Sequence, residues 1–516
     1  MIDWRRLLIY THRWLGIAGG LLFVTWFASG IVMMYARMPE LTDEERLARL
    51  APIDLSTARV SMADAARQWA ACGEGGQPCD RARIAMLGNR PVYRIQRRGE
   101  WTTIFADTGE PLHGLTADQA IDLARRFAPE HASTLRYEAL LTNSDQWTLL
   151  ADARRASPLH RIALNDPEDT NIYISAKTGE AVMKTTASTR RWAYPGAVLH
   201  WLYFTPLRRH GPLWTQVIIW SSLAGCVLAL SGLVWGVFRY SPSARYRLKR
   251  EQSHTPYAGL MRWHHYAGLL VGLASFTWIF SGLLSMDPWD WHPGTAPTRH
   301  MREAVTGGPL RLDAITISPG VAQPFRAAKE IDIVQFRGEP FLVTHDAPIR
   351  FDRDTLLAAA RAAMPSTDVE DAVWLEDYDA YYYDRDRTLS LPVLRVRYAD
   401  PQHTWLYLDP RRGAIVRKEE RLTRLNRWLY HGLHSLDFRF LYSRRPLWDI
   451  VVIALSVGGL VLSATTLVQA VHRLRRHVRR LQGGGGYAIR SDARVRPVDD
   501  VNDVARPRRG GAGGVM

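Results

Sequence analysis

The chain has 516 residues, more than one ordinary domain, and its 47% hydrophobic content averages over two populations: a few apolar blocks of membrane-spanning length and long charge-rich stretches between them. The net charge of +15 would suit nucleic acid. The basic surplus, however, gathers at residues 4–13, 239–262 and 473–509, beside the apolar blocks, which is the positive-inside pattern of membrane flanks and excludes a nucleic-acid partner.

In chain order, Arg5 and Arg6 precede an apolar run at residues 14–35, too long for a cleaved signal peptide and read as a retained anchor helix. Residues 1–35 thus form a cytoplasmic N-terminus and first span. Residues 36–190 form a first extracytoplasmic domain of two units. In it Cys72 and Cys79 flank a Gly-rich turn, where sequence leaves a disulfide and two free thiols both open. Residues 191–238 hold an interfacial segment and the second span (213–238), which contains Cys226 as a packing residue. Residues 239–262 are a basic cytoplasmic loop and 263–285 the third span. Residues 286–423 form the second outer domain, and 424–468 a second interfacial segment with the fourth span (446–468). Residues 469–516 are a basic cytoplasmic tail, expected to be largely disordered from about Gln482.

The two halves match without gaps. Thr11-His12-Arg13-Trp14-Leu15-Gly16, with Thr25-Trp26 and Ser29-Gly30, overlays Trp263-His264-His265-Tyr266-Ala267-Gly268, with Thr277-Trp278 and Ser281-Gly282. Leu199-His200 and Pro212-Leu213-Trp214 overlay Leu433-His434 and Pro446-Leu447-Trp448. Both members of each pair of spans run in the same direction, so the expected fold is a four-helix membrane protein with a parallel internal repeat. The outer stretches repeat a smaller pattern of helix, strand, strand and Gly-containing turn. Residues 61–71, 91–95 and 101–106 lead to Asp107-Thr108-Gly109-Glu110. Residues 117–128 and 171–175 lead to Lys177-Thr178-Gly179-Glu180. Residues 355–364, 392–398 and 405–408 lead to Asp409-Pro410-Arg411-Arg412-Gly413, and residues 310–346 read as a degenerate further copy. Each outer domain is therefore expected to be α+β.

This helix–strand–strand–turn unit resembles the PepSY domain, and the His-x-Trp/Tyr-x-Gly openings of the spans resemble PepSY-associated transmembrane proteins. The resemblance covers about residues 4–472. It implies a bacterial inner-membrane location with both termini cytoplasmic and the large domains periplasmic. It also implies kinship with haem-containing reductases of ferric siderophores.

Four histidines occupy duplicated positions: His12 and His264 near the inner ends of spans one and three, His200 and His434 near the outer ends of spans two and four. Two imidazoles facing each other at one depth are what bis-histidine ligation of haem b needs, and Gly16 and Gly268 would leave room for a flat macrocycle. The expected cofactor is two haems b, with these residues as axial ligands of the iron. The absence of a Cys-x-x-Cys-His sequence excludes covalent attachment on that signature. His265, His431 and His472 stand in reserve. For substrate contact the outer aromatics Tyr378, Tyr381, Tyr382, Tyr383, Trp289, Trp291 and Trp147 are weighed against ordinary sheet packing, which is the better expectation. Arg190, Arg191, Arg208 and Arg209 are weighed as holders of haem propionates against headgroup anchors, the second being favoured.

No Gly-x-Gly-x-x-Gly follows a strand, so an external cytoplasmic electron donor is implied. Metalloprotease, serine-nucleophile and phosphate-loop motifs are lacking too. The leading expectation is an oxidoreductase passing electrons outward to ferric siderophore iron. The alternative is a non-enzymatic PepSY-type regulatory protein that binds a peptide or protease. An iron permease component is weaker, because the spans carry no deep carboxylate.

Overall fold

The computed structural model describes residues 3–70, 72, 78–248, 251–315, 325–385 and 387–482. The tail beyond Gln482 and most of the turn between Cys72 and Cys79 lie outside them. Among the described residues four helices are long and apolar enough to cross a membrane: α1 (Trp4–Met33), α2 (Gly211–Arg239), α3 (Leu260–Leu284) and α4 (Leu447–Gln482). Each exceeds the roughly 20 residues that span a bilayer. Asp3 caps α1 by accepting from the Arg5 amide at 3.0 Å, and Pro212 stands in the first turn of α2, where its missing N–H costs nothing. The helices are apolar all round, with Leu21, Trp220, Leu270 and Val457 open to the surroundings. That surface is at home in lipid and not in water. Around the bundle the order is α1, α2, α3, α4, so α1 and α3 face each other on a diagonal.

Among the described residues the strands, apart from one small hairpin, form three antiparallel sheets at one end of the bundle. One has the order β4–β5–β6–β7 (Arg136–Leu141, Leu159–Ala163, Asn171–Ser175, Ala181–Thr185). Another runs β12–β13–β14–β15 (Val369–Leu375, Val393–Tyr398, Trp405–Asp409, Ala414–Glu419). The third joins β1, β2 and β3 (Arg81–Leu87, Arg90–Arg97, Glu100–Phe105) to β10 and β11 (Glu330–Phe336, Glu339–Val343), with Ala82 opposite Ile333. Strands from the stretch before the second span and from the stretch after the third thus share a sheet, and the division seen along the sequence is not a division in space. The hairpin of β8 (Tyr246–Leu248) and β9 (Glu251–Ser253) marks the opposite end.

Helices cover two of the sheets as the periodicity predicts. Ala120 and Ala124 of helix Ala117–Phe127 pack on Ile162, Ile172 and Ile174, and Leu356 and Ala360 of helix Arg353–Ala363 pack on Leu394, Val396 and Leu406. The turn glycines Gly109, Gly179 and Gly413 all have positive φ, which is why glycine ends each unit. Cys72 and Cys79 form a disulfide, and Cys226 is a buried free thiol within α2.

A buried ion network ties the sheets together. Arg83 reaches both Asp332 (2.8 Å) and Glu330 (3.0 Å), Arg46 binds Glu330 (2.6 Å), Arg94 binds Glu180 (3.1 Å) and Arg412 binds Asp332 (2.8 Å). Burial pushes the Glu330 and Asp332 carboxyls upward, but the surrounding guanidiniums outweigh it and hold both below their ordinary range.

Candidate functional site

Two segments connect the sheets to α2 and α4, and they are built alike. Helix Ala187–Ala193 passes through a π-helical turn (Tyr194–Val198) into the short helix Leu199–Trp201, ended by Leu202 at φ 52°. Helix Arg421–Arg427 passes through a π-helical turn (Trp428–Gly432) into Leu433–Ser435, ended by Leu436 at φ 49°. A leucine in the left-handed region costs roughly 1 kcal/mol or more, so its surroundings must hold it there. The first residues of α2 and α4 help: the Trp214 indole donates to the Trp201 carbonyl at 2.8 Å, and the Trp448 indole to the Ser435 carbonyl at 2.9 Å. His200 and His434 sit in these short helices, each two residues before the strained leucine.

His200 and His434 meet with ring centres 6.0 Å apart and planes at 71°. His12 of α1 and His264 of α3 meet across the bundle diagonal at 6.1 Å and 50°. An iron bonded to two imidazole nitrogens at about 2.0 Å, with each ring centre roughly 1.1 Å behind its nitrogen, sets the centres about 6 Å apart.

Each histidine has its Nδ1 engaged by the protein. His12 Nδ1 lies 3.0 Å from the Leu228 carbonyl, and His264 Nδ1 lies 2.9 Å from Thr465 Oγ1. His200 Nδ1 lies 3.2 Å from Ser29 Oγ, and His434 Nδ1 lies 3.1 Å from Ser281 Oγ. Among the described residues no hydrogen bond reaches Nε2 of any of the four. A ring anchored through one nitrogen with the other left open is the usual state of a metal-ligating imidazole.

Glycines make the space. A cavity of about 390 Å³ in the bundle is lined by His12 and His264 together with Gly16, Gly20, Gly232 and Gly268. A Cβ on Gly232 would lie 2.4 Å from His12 Cε1, and one on Gly16 would lie 3.3 Å from Thr466 Cγ2. At the other pair, Cβ atoms on Gly30 and Gly282 would stand 3.5 Å from the His200 and His434 rings, which is ordinary contact, so those two glycines do not clear space as Gly232 does. No group of three or more His, Cys, Asp or Glu side chains among the described residues is arranged to hold a bare metal ion. Each site offers two imidazoles, so a metal there needs its remaining ligands from elsewhere, as a porphyrin provides. The spacing of both pairs, and the cavity beside His12 and His264, fit a haem.

The other candidates separate from this arrangement. His265 uses both nitrogens, Nδ1 toward Thr255 Oγ1 (2.7 Å) and Nε2 toward the Gly236 carbonyl (2.8 Å), so it is a satisfied core histidine and no substitute ligand. His431 lies against Tyr430, with ring centres 4.4 Å apart, and His472 is exposed on α4. Tyr378 and Tyr382 are buried and donate to the Leu389 and Ser390 carbonyls, Tyr381 packs on Trp405, and Tyr383 donates to Asp437. They form packing and not a stacking platform, and Trp147 likewise packs edge-on to Tyr194. Trp291 packs edge-on to His292, while Trp289 is exposed. Arg190 is paired with Asp169, Arg208 lies over Tyr203 and Trp214, and Arg209 donates to the Ser144 carbonyl; Arg191 is exposed.

The residues missed in the sequence are the partners of Nδ1. Ser29 and Ser281 were visible as matching positions, and their shared distance of 17 residues from His12 and His264 was a usable signal. Leu228, acting through its carbonyl, left no such trace.

One side of the second pair carries a further network. Asp437 is buried, accepts from Tyr383 and lies 3.4 Å from Arg385, which donates to Ser435 Oγ at 2.8 Å. Arg427 donates to the Asp437 carbonyl (2.7 Å) and the Ala380 carbonyl (2.8 Å). These bonds strap the loop after β12 onto the segment that carries His434. No family model matches the chain, and no curated protein matches its sequence.

Proposed function

We propose that this protein is a haem b-containing reductase of the bacterial inner membrane, passing electrons outward to ferric iron held by a siderophore or similar chelate. The duplicated PepSY-type architecture and the cytoplasmic position of both termini belong to the same reading. The observation that carries it is the spacing of two histidine pairs at 6.1 Å and 6.0 Å, each ring anchored through Nδ1.

Bound haem would supply one-electron transfer between ferric and ferrous iron. His12, His264, His200 and His434 would hold the iron. Leu228, Thr465, Ser29 and Ser281 fix each ring's orientation, and the hydrogen bond to Nδ1 makes Nε2 a better donor to metal. Ser29 stands 17 residues beyond His12, which places the two levels about 25 Å apart along α1. Phe23 and Phe27 line the cavity on the way from one level to the other, and the Phe27 and Trp278 ring centres lie 6.0 Å apart. With one site toward each face, an external cytoplasmic donor is served at the His12 end and the ferric chelate at the sheet-bearing end.

The test is the visible spectrum of purified protein from haem-replete cells. A reduced-minus-oxidised b-type spectrum, halved by His12→Ala and abolished when His200→Ala is added, is expected. Colourless protein sinks the cofactor, and unchanged reduction of a ferric chelate by the haem-deficient variants sinks the reductase.

A further inference from the structure

Arginine is common at the hairpin end of the bundle, and most of it needs no explanation beyond lipid headgroups. Arg13 and Arg473 differ, because both line the apolar cavity that holds His12 and His264. Arg13 follows His12 directly on α1. Arg473 lies on the same face of α4 as Thr466, Gln469 and Ala470, all of which line the cavity. Among the described residues that line it, these two carry its formal charge. They stand within electrostatic reach of each other. Neither has a carboxylate partner among the described residues, and Arg13 has only the face of Tyr10 at 5.5 Å. Arg13 is half-buried and Arg473 is exposed at the cavity's edge; two like charges on the wall of one apolar cavity repel, and an anion that enters between them relieves this. An anion entering here would have two negative groups at one edge and an apolar body that fills the glycine-lined space.

We infer that Arg13 and Arg473 bind the two carboxylates of the cofactor held by His12 and His264, and so fix which edge of it faces the hairpin end. This rests on the haem reading of that pair. It would set the cofactor's rotation about the iron–nitrogen axis, which two imidazoles alone leave free.

The experiment uses full-length protein carrying His200→Ala and His434→Ala, so that only the inner pair remains, stripped of haem in lipid-free detergent. It is titrated with haem and with haem dimethyl ester, following the low-spin bis-imidazole absorbance. Haem is expected to bind at least ten-fold more tightly than the ester. Arg13→Gln with Arg473→Gln should bring haem affinity down to that of the ester and leave the ester unchanged, while the two Lys substitutions keep most of the preference. Equal affinity for haem and ester before the arginines are changed overturns the inference, as does an equal loss of both ligands on changing them. If the Gln variant does not fold, the comparison of haem with ester in its parent decides alone. A parent that binds neither ligand overturns the histidine reading, and this inference with it. A site occupied by a lipid phosphate would show no preference between acid and ester.

Discussion

The two histidine pairs have nearly the same spacing but are supported in different ways. His12 and His264 stand on the long helices themselves, and their position follows from the packing of α1 and α3 against α2 and α4. His200 and His434 stand on short helices outside those spans. They reach back to Ser29 and Ser281 and depend on strained leucines, indole caps and, on one side, the network around Asp437. The first pair is fixed by the bundle; the second is fixed by the junction between bundle and sheets. Loss of sheet packing should therefore reach the second pair and spare the first.

The strongest way to break the comparison is to remove one ligand at each level. His264→Ala and His434→Ala should each take the haem content from two per chain to one, measured as the pyridine haemochrome, with the surviving spectrum differing between the two variants. Gly232→Ala should act almost as severely and only on the inner pair, since the new Cβ would lie 2.4 Å from His12 Cε1. An inner b-type signal that survives this substitution would show that the ring has room the structure denies it.

Smaller effects sharpen the contrast. Thr465→Val and Ser281→Ala remove an Nδ1 partner at the inner and outer level respectively, and each should weaken haem binding at its own site by about 10–100-fold. Asp437→Asn should weaken only the outer site, by a few-fold. It leaves Arg385 without its counter-charge and loosens the loop strapped over the His434 segment; heat-induced loss of haem, followed separately at the two sites, measures this.

The mildest test is acid. Glu330 and Asp332 have carboxyls held below their ordinary range in the folded protein. Their contribution to stability is present above the unfolded pKa values and is lost as pH falls through the lower folded ones, below about pH 4. Acidification should then loosen the sheets and release the outer haem before the inner one. Simultaneous release would mean that the two levels share one support.

The pairing of the histidines had a trace in the sequence: the same residue at the same offset in both halves separates His12 and His264, whose rings meet, from neighbouring His265. The spans were legible because lipid demands long uninterrupted apolar helices. The sheet-bearing units were legible in part, through turn glycines at Gly109, Gly179 and Gly413 and through alternation in their best strands. The union of β1 with β10 was not, because nothing local in Ala82 or Ile333 names a partner some 250 residues away. The tyrosine run could be read as a binding surface or as packing, and burial decided for packing.

Four apolar spans with charge-rich stretches between them are read directly from the residues, and so are the four matched histidines. Those properties rest on composition and periodicity, which are local. Helix packing decides that the histidines meet in two pairs near 6 Å, that Nδ1 of each is taken, and that glycines hollow out a cavity beside His12 and His264 whose wall includes Arg13 and Arg473. Each of these depends on how separate helices pack across the bundle, and a side chain's partner across such a gap is chosen by geometry that no single stretch of sequence contains.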